Sequence, residues 1–483
     1  MKQKTGCLVV PISILLAAFA ARIVFWMITD WTVEDAMIYA RISRNFVETG
    51  ILGYNPGVKV SAATSTFFAL LTSGLTVCGL SSLCSAKILG LLCGSLCSLV
   101  VYMLLRPLAS IRIAMAGGCF VAFLPPMVAY SVGGMETPLY TLACLLALWC
   151  AVKKSFRAAF LWAALAFLLR PDGALVGLVV FVFAWVTCER KARRVFAYGW
   201  PAAAICVAAL SAHWWYYGAF VPQSLSAKSA AYDVDPASNF LRYLDRMVLS
   251  QPGAWVFYGL MIVGIVQRWR KRCNTLILAA WYVLYHIFFV TRAPLFDWYL
   301  QPPLFVLCFF SALGLGQIVA WMTERFHRSD YLPAAEALGA IALALSLAVS
   351  LWPYGIKRVA NQQYELKVRA AAGRWLAANA KPSSLVFTES LGFIGYYCPN
   401  PFIDWPGLVS REASKIIKDG GLKKSRRRAY DAIISHFSPE WLVLRFEEWP
   451  RLEERLKSRY VQVVRFDPPN DSGVGYLIAH RQM

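Results

Sequence analysis

The chain has 483 residues, of which 58% are hydrophobic, 14% aromatic and only 16% charged, and its mean hydropathy is +0.52. A soluble domain of this length is far more polar, so the composition reads as a polytopic membrane protein. The formal net charge of +21 does not point to nucleic acid, because the basic residues gather in short breaks between apolar runs. These breaks hold Lys2 and Lys4, Arg106 and Arg112, Lys153, Lys154 and Arg157, Arg190 to Arg194, Arg268 to Arg272, and Arg325 with Arg328. The positive-inside rule makes them cytoplasmic.

Residues 7–28 follow Lys2 and Lys4 and contain Ala18-Phe19-Ala20, a small-residue pattern that suggests a cleaved signal peptide. Apolar sequence continues to Ile28, too far for a signal core, so this run predicts a first span with a cytoplasmic N-terminus. Just beyond it, Glu34 and Asp35 stand side by side at the membrane surface. A carboxylate so close to lipid resists ionisation unless solvated or paired, which makes the pair a functional-site candidate; the alternative is a polar loop that opens a helix. Apolar runs near 8–28, 84–105, 113–130, 137–152, 158–169, 173–188, 196–216, 253–266, 276–290, 301–320 and 332–352 predict about eleven crossings. The stretch 64–83 reads as interfacial or re-entrant, and Arg170-Pro171-Asp172-Gly173 as a tight hairpin or a break in one long helix.

With the basic breaks inside, the other polar segments share the outer face: a loop over 29–65, the segment holding Glu136, residues 170–172, 217–251 and 291–301, and everything after Trp352. A transporter spreads polarity through the membrane and shows internal repeats; neither is evident. A lipid-carrier flippase and a noncatalytic envelope-assembly protein stay as alternatives to an enzyme. Most of the thirteen cysteines lie within apolar runs and imply no disulfide framework.

The expected domains are therefore a transmembrane domain over 1–352 and a soluble extracytoplasmic α/β domain over 353–483. In the latter, Gln362 to Asn379 has helical spacing, while Ser384 to Thr388, Trp441 to Leu444, Tyr460 to Phe466 and Gly475 to Ala479 read as strands, the last two as a pair. Its densest basic run, Lys423, Lys424 and Arg426 to Arg428, suits a solvated surface, anionic lipid or an acidic glycan.

The motifs carry a resemblance when taken in order. They are Glu34-Asp35-Ala-Met-Ile-Tyr-Ala-Arg41 followed by Gly53-Tyr-Asn-Pro-Gly57 and Ala63-Thr-Ser65; Gly134-Met-Glu-Thr137; Arg170-Pro-Asp-Gly173; Tyr216-Tyr-Gly218 with Pro222 and Ala227-Lys228; Trp298-Tyr-Leu300; and Gly392, Gly395-Tyr-Tyr397, Ile403-Asp404 and Gly407-Leu408. Across most of its length the chain resembles the GT-C-fold glycosyltransferases and is similar to the bacterial branch that includes the terminal arabinofuranosyltransferases of actinobacterial cell walls. The resemblance implies transfer of a sugar from a polyprenyl-phosphate donor to an envelope glycan or glycolipid, with inversion, at the outer face of a bacterial inner membrane.

Such a transfer needs a carboxylate base within reach of the acceptor hydroxyl and cations for the departing phosphate. Asp35 is the expected base, with Glu34 beside it. Relatives usually carry Asp where this chain has Glu34, so either the site adjusts to the longer side chain or Asp35 takes the role. Lys228, Arg170 and Arg292 are candidate phosphate ligands, and each is equally suited to snorkel at the interface. Arg41, Glu136, Tyr217 and Gln223 are candidate cavity residues; Glu136 is equally placed to cap a helix, and Tyr217 belongs to an aromatic cluster typical of an interface belt. No His, Cys and Asp spacing makes a zinc site, and an oxygen-ligated divalent cation bridging acid and phosphate is left open.

Overall fold

Apolar runs interrupted by proline, glycine and polar residues fold here as packed helices, since backbone in hydrocarbon must satisfy its N–H and C=O groups internally. The computed structural model describes residues 2–189, 191–249, 253–469 and 474–482. Helices α1 (Lys2–Thr29), α2 (Glu34–Thr49), α3 (Thr66–Val77), α4 (Ser82–Leu105), α5 (Ile111–Phe123), α6 (Pro125–Ser131), α7 (Thr137–Val152), α8 (Phe156–Leu169), α9 (Ala174–Thr187) and α10 (Lys191–Tyr217) lead to α11 (Gln223–Ala231) and α12 (Pro236–Leu244). Then come α13 (Ala254–Arg270), α14 (Leu276–Thr291), α15 (Leu304–Arg325) and α16 (Leu332–Tyr364).

Among the described residues, five helices are long and apolar enough to cross a membrane, or up to seven if two bent pairs each count as one span. With four of the shorter apolar helices they match in position the eleven runs read from the sequence. α3 has only 12 residues, too few to cross about 30 Å of hydrocarbon. The stretch 29–65 departs from a simple loop, because Glu34 and Asp35 open the 16-residue α2. At Arg170 to Gly173 the chain makes a hairpin: a Cβ on Gly173 would fall 2.3 Å from the Ala166 carbonyl carbon of α8.

α5 and α6 meet at a 54° bend. Pro125 has no N–H to give the Val121 carbonyl, and Arg22 of α1, fully buried, supplies donors instead. Its guanidinium reaches Val121 O at 3.4 Å, Ala122 O at 3.3 Å and Ser131 Oγ at 3.1 Å.

Nothing breaks at the expected boundary near 352. α16 runs through Pro353 and passes by a π-helical turn, Glu365–Arg369, directly into α17 (Ala370–Asn379). Beyond it lie β1 (Val386–Thr388), α18 (Gly392–Tyr397), β2 (Phe402–Asp404), α19 (Arg411–Asp419), α20 (Arg426–Phe437), β3 (Trp441–Arg445), α21 (Glu454–Lys457), β4 (Tyr460–Phe466) and β5 (Tyr476–Arg481). The sheet order is β2-β1-β3-β5-β4. β1 runs parallel to β2 and β3, with Thr388 opposite Asp404 and Val443, while β5 is antiparallel to β3 and β4. The late strand pair is thus as expected, and β2 is a strand that the sequence reading did not include.

This domain sits on α2. Arg41, 1% exposed, donates to the carbonyls of Tyr54 at 2.9 Å, Cys398 at 2.8 Å, Asn400 at 2.8 Å and Pro399 at 3.4 Å, and to that of Gly395. Asn55 exchanges both hydrogen bonds with the Phe402 backbone, at 2.8 and 2.9 Å, and the Tyr54 hydroxyl donates to Leu391 O at 2.6 Å. The Gly53-Tyr-Asn-Pro-Gly57 motif therefore joins the two domains.

Candidate active site

α2 begins at Glu34 because Val33 before it is extended, its N–H bound to Gly133 O at 3.0 Å. Its first turn exposes free N–H groups and the positive end of the helix dipole, where carboxylates are favoured. Glu34 and Asp35 occupy that turn, both half-buried. The Gly392 N–H, at the start of α18, donates to Glu34 Oε1 at 2.6 Å. Burial, followed by the charge of Asp35, pushes the Glu34 carboxyl well above its ordinary value, and Arg369 works against that shift.

Asp35 faces two adjoining cavities. The smaller lies among Tyr39, Thr64, Glu136, Ser224 and Tyr299; the larger is walled by Glu34, Tyr232, Phe296, Arg369, Glu389, Ser390 and Arg445. Asp35, Ile38, Lys228, Trp298 and Leu408 line both. Lys228, on α11, lies over the Phe296 ring at 4.9 Å. Among the described residues no carboxylate lies within 4.0 Å of its ammonium to form an ion pair. Burial lowers its proton affinity, but Tyr299, Asp35 and Glu136 more than compensate, so Lys228 stays charged.

Glu136, at the start of α7, lines the smaller cavity and is 2% exposed. Burial raises its pKa and the charge of Arg170 opposes the rise. Arg170 itself lies behind the cavity wall. It holds both oxygens of Asp172 at 3.0 and 3.1 Å, approaches Glu136 at 3.8 Å and rests against the rings of Tyr140 and Tyr299.

The structure thus brings Glu34, Asp35, Lys228 and Glu136 to one cleft and leaves other predicted residues out of its lining. Arg292, the C-cap of α14, is exposed and lines neither cavity. Arg41 is turned to the docking carbonyls rather than to an acid, and Tyr217 donates to Leu52 O at 2.9 Å. Gln223 donates to Gly407 O at 2.8 Å and to Ser414 Oγ at 2.9 Å, bracing the loop that presents Leu408. The opposite omission concerns Arg369, Glu389, Ser390 and Arg445. Glu389 and Ser390 follow β1, Pro406 and Leu408 follow β2, and Arg445 ends β3, so this wall is the carboxyl edge of three parallel strands, where α/β sheets commonly place ligands. A strand reading extended by two residues at β1 and one at β3 would have found three of them. Among the described residues no group of three His, Cys, Asp or Glu side chains is placed to hold a metal ion.

Similar architectures are known. ArnT from Cupriavidus metallidurans, in a structure bound to undecaprenyl phosphate, superposes with a TM-score of 0.63 at 15% identity over 98% of each chain. Its apo state gives 0.65 at 16% identity, over 99% of this chain and 98% of that one. The chain has the fold of ArnT. The GT-C-like architecture expected from the motifs, helical with a C-terminal sheet domain, is therefore the one observed. The oligosaccharyltransferase AglB of Archaeoglobus fulgidus, solved with an inhibitory peptide and a dolichol-phosphate, matches at TM-score 0.54 and 14% identity, over 96% of this chain and 74% of its own. Another structure of the Archaeoglobus oligosaccharyltransferase contains Zn and sulfate. By sequence, residues 355–479 match a domain of unknown function (DUF8728), and no curated protein matches the chain.

Proposed function

We propose that the protein is an inverting membrane glycosyltransferase that moves a sugar from a polyprenyl-phosphate carrier to a hydroxyl of an envelope glycan or glycolipid at the extracytoplasmic face. The observation that carries this reading is the meeting of Asp35 and Lys228 in one cleft between the helical body and the C-terminal domain. The cleft lies in a fold shared with proteins solved holding undecaprenyl phosphate or a dolichol-phosphate.

Two adjacent carboxylates in different surroundings divide the work naturally. Glu34 is biased toward its protonated form by burial and by its neighbour, and Asp35, which lines both cavities, is the residue placed to accept the acceptor's hydroxyl proton. The acceptor oxygen then bonds to the anomeric carbon from the face opposite the phosphate. The bond between that carbon and the phosphate oxygen breaks, and its electron pair leaves with the phosphate. Lys228, charged and with no carboxylate within 4.0 Å among the described residues, stabilises the developing negative charge. Glu136 joins the cavity from the far side, fixed by Arg170.

Purified protein supplied with a panel of radiolabelled polyprenyl-phosphate sugars and an envelope-lipid extract tests the proposal. Labelled product that depends on Asp35 is expected; carrier consumption with no labelled glycan formed would overturn it.

A further inference from the structure

The two sides of the larger cavity differ in their charge balance. On the C-terminal domain, Arg369 pairs with Glu365 at 2.8 Å. Glu389 takes Arg445 at 2.6 Å on one oxygen and Arg426 at 3.0 Å on the other. Arg369 and Arg445 also direct their Nε–H groups to the same Tyr476 hydroxyl, at 3.3 and 3.4 Å, and that hydroxyl shares a 2.7 Å hydrogen bond with Ser390 Oγ. Arg426 also pairs with Glu448 at 3.1 Å, so the wall is a lattice of matched charges. Each guanidinium that reaches the cleft already has a carboxylate, so a phosphate there would compete with Glu365 or Glu389 for its cation.

Across the cleft the situation is reversed. Lys228 has no ion-pair partner within 4.0 Å among the described residues, and beside it Phe296 and Trp298 stack with ring planes 2° apart and centroids at 4.8 Å, giving an apolar surface on the cavity. Alternating fixed donors and acceptors on one side, with an aromatic face on the other, match the edges and the face of a sugar ring: hydroxyls bond in pairs to fixed polar groups while C–H groups cover the aromatic surface.

We propose that the carboxyl edge of the sheet, with Glu389, Ser390, Arg369 and Arg445, is the acceptor subsite, and that it takes an uncharged sugar of the acceptor glycan, while the carrier phosphate goes to Lys228. This assignment rests on the glycosyltransferase reading. It makes the C-terminal domain the determinant of acceptor choice and places the acceptor hydroxyl between that wall and Asp35.

Full-length protein in nanodiscs separates the two halves of the cleft. Undecaprenyl phosphate is the carrier probe, read by its shift of the melting temperature, and an immobilised panel of neutral and phosphorylated oligosaccharides is the acceptor probe. Wild type is expected to shift with the carrier and to bind one or more neutral glycans. Glu389→Gln and Arg445→Lys should weaken glycan binding at least tenfold with an unchanged carrier shift, and Lys228→Ala should do the reverse. Ser390→Ala, which removes one hydroxyl from the wall, provides a milder variant in case the ion-pair variants melt early without ligand; it is expected to weaken glycan binding several-fold. Loss of the carrier shift in the wall variants would show a phosphate site there, and unchanged glycan binding in all three would show a purely structural lattice; either overturns the assignment. Wild type that shifts with the carrier but binds only phosphorylated glycans, or none, also overturns it and leaves the carrier reading standing. Wild type that responds to neither probe defeats the glycosyltransferase reading itself.

Discussion

Two residues one position apart carry most of the chemical burden. Asp35→Asn keeps size and hydrogen bonding but removes the base, so transfer should fall by about 10² to 10⁴ with an unchanged melting temperature. Glu34→Gln should do less harm, because a glutamine resembles the protonated acid that burial favours and its oxygen can still accept the Gly392 N–H. Radiolabelled transfer assays on both variants check this, and the opposite ranking would move the base to Glu34. Lys228→Ala should raise the donor concentration needed for half-maximal rate by about tenfold or more, since a charge-assisted hydrogen bond to phosphate is lost, with the acceptor dependence nearly unaltered. Titrating the two substrates separately shows which side responds. The acidic pair was legible in the sequence because carboxylates are conspicuous beside a membrane span. The assignment of Arg170 was not, because sequence cannot show that Asp172, two residues on, turns back to occupy its guanidinium.

At the level of elements, the start of α18 packs closely against the start of α2. A Cβ on Gly392 would lie 2.1 Å from the Glu34 carbonyl oxygen and 2.6 Å from Oε1. Gly392→Ala must push the domains apart and should cost about 1 to 3 kcal/mol, as overpacked sites do, together with most activity; thermal unfolding and transfer rate, measured on one preparation, check both. The loop after β2 offers a pH test. Asp404 is fully buried and accepts from the N–H groups of Gly407, Leu408 and Val409 at 3.0, 2.8 and 2.9 Å, yet burial still raises its pKa from 3.8 to about 6. The folded state therefore binds this proton more tightly than the unfolded chain. The contribution of this group to stability should be greatest below about pH 4, decline as pH rises to about 6 and level off above, a span of about 3 kcal/mol at about 1.4 kcal/mol per unit. Asp404→Asn should remove that slope from pH-dependent unfolding curves. Helices and the longer strands could be read from periodicity, which records burial directly. Neither the 54° bend nor its repair by Arg22 could be, because the arginine and the carbonyls it serves are about a hundred residues apart.

For the whole molecule, the basic breaks predict the C-terminal domain outside the cytoplasm. Reporter fusions at Met483 should therefore be active only with a reporter that requires export. The polar breaks assigned to one face do meet at one end of the helical body, where Glu136, Lys228 and Trp298 line a common cavity. Charge and hydropathy were enough to group them. Their distances were not legible, because they depend on how the domains dock through Arg41, Tyr54 and Asn55. The unbroken run from α16 into α17 has a mechanical consequence. Arg369 stands on the same continuous helix as the last apolar segment, so the angle at which that segment crosses the bilayer sets the position of the sheet-side wall. A helix tilts to match hydrocarbon thickness, and over the 17 positions from Trp352 to Arg369, at about 1.5 Å each, even a small tilt becomes a displacement of several ångströms at the far end. Enzyme reconstituted in lipids of graded acyl-chain length should consequently show an optimum, with the catalytic gap too wide on one side of it and too narrow on the other.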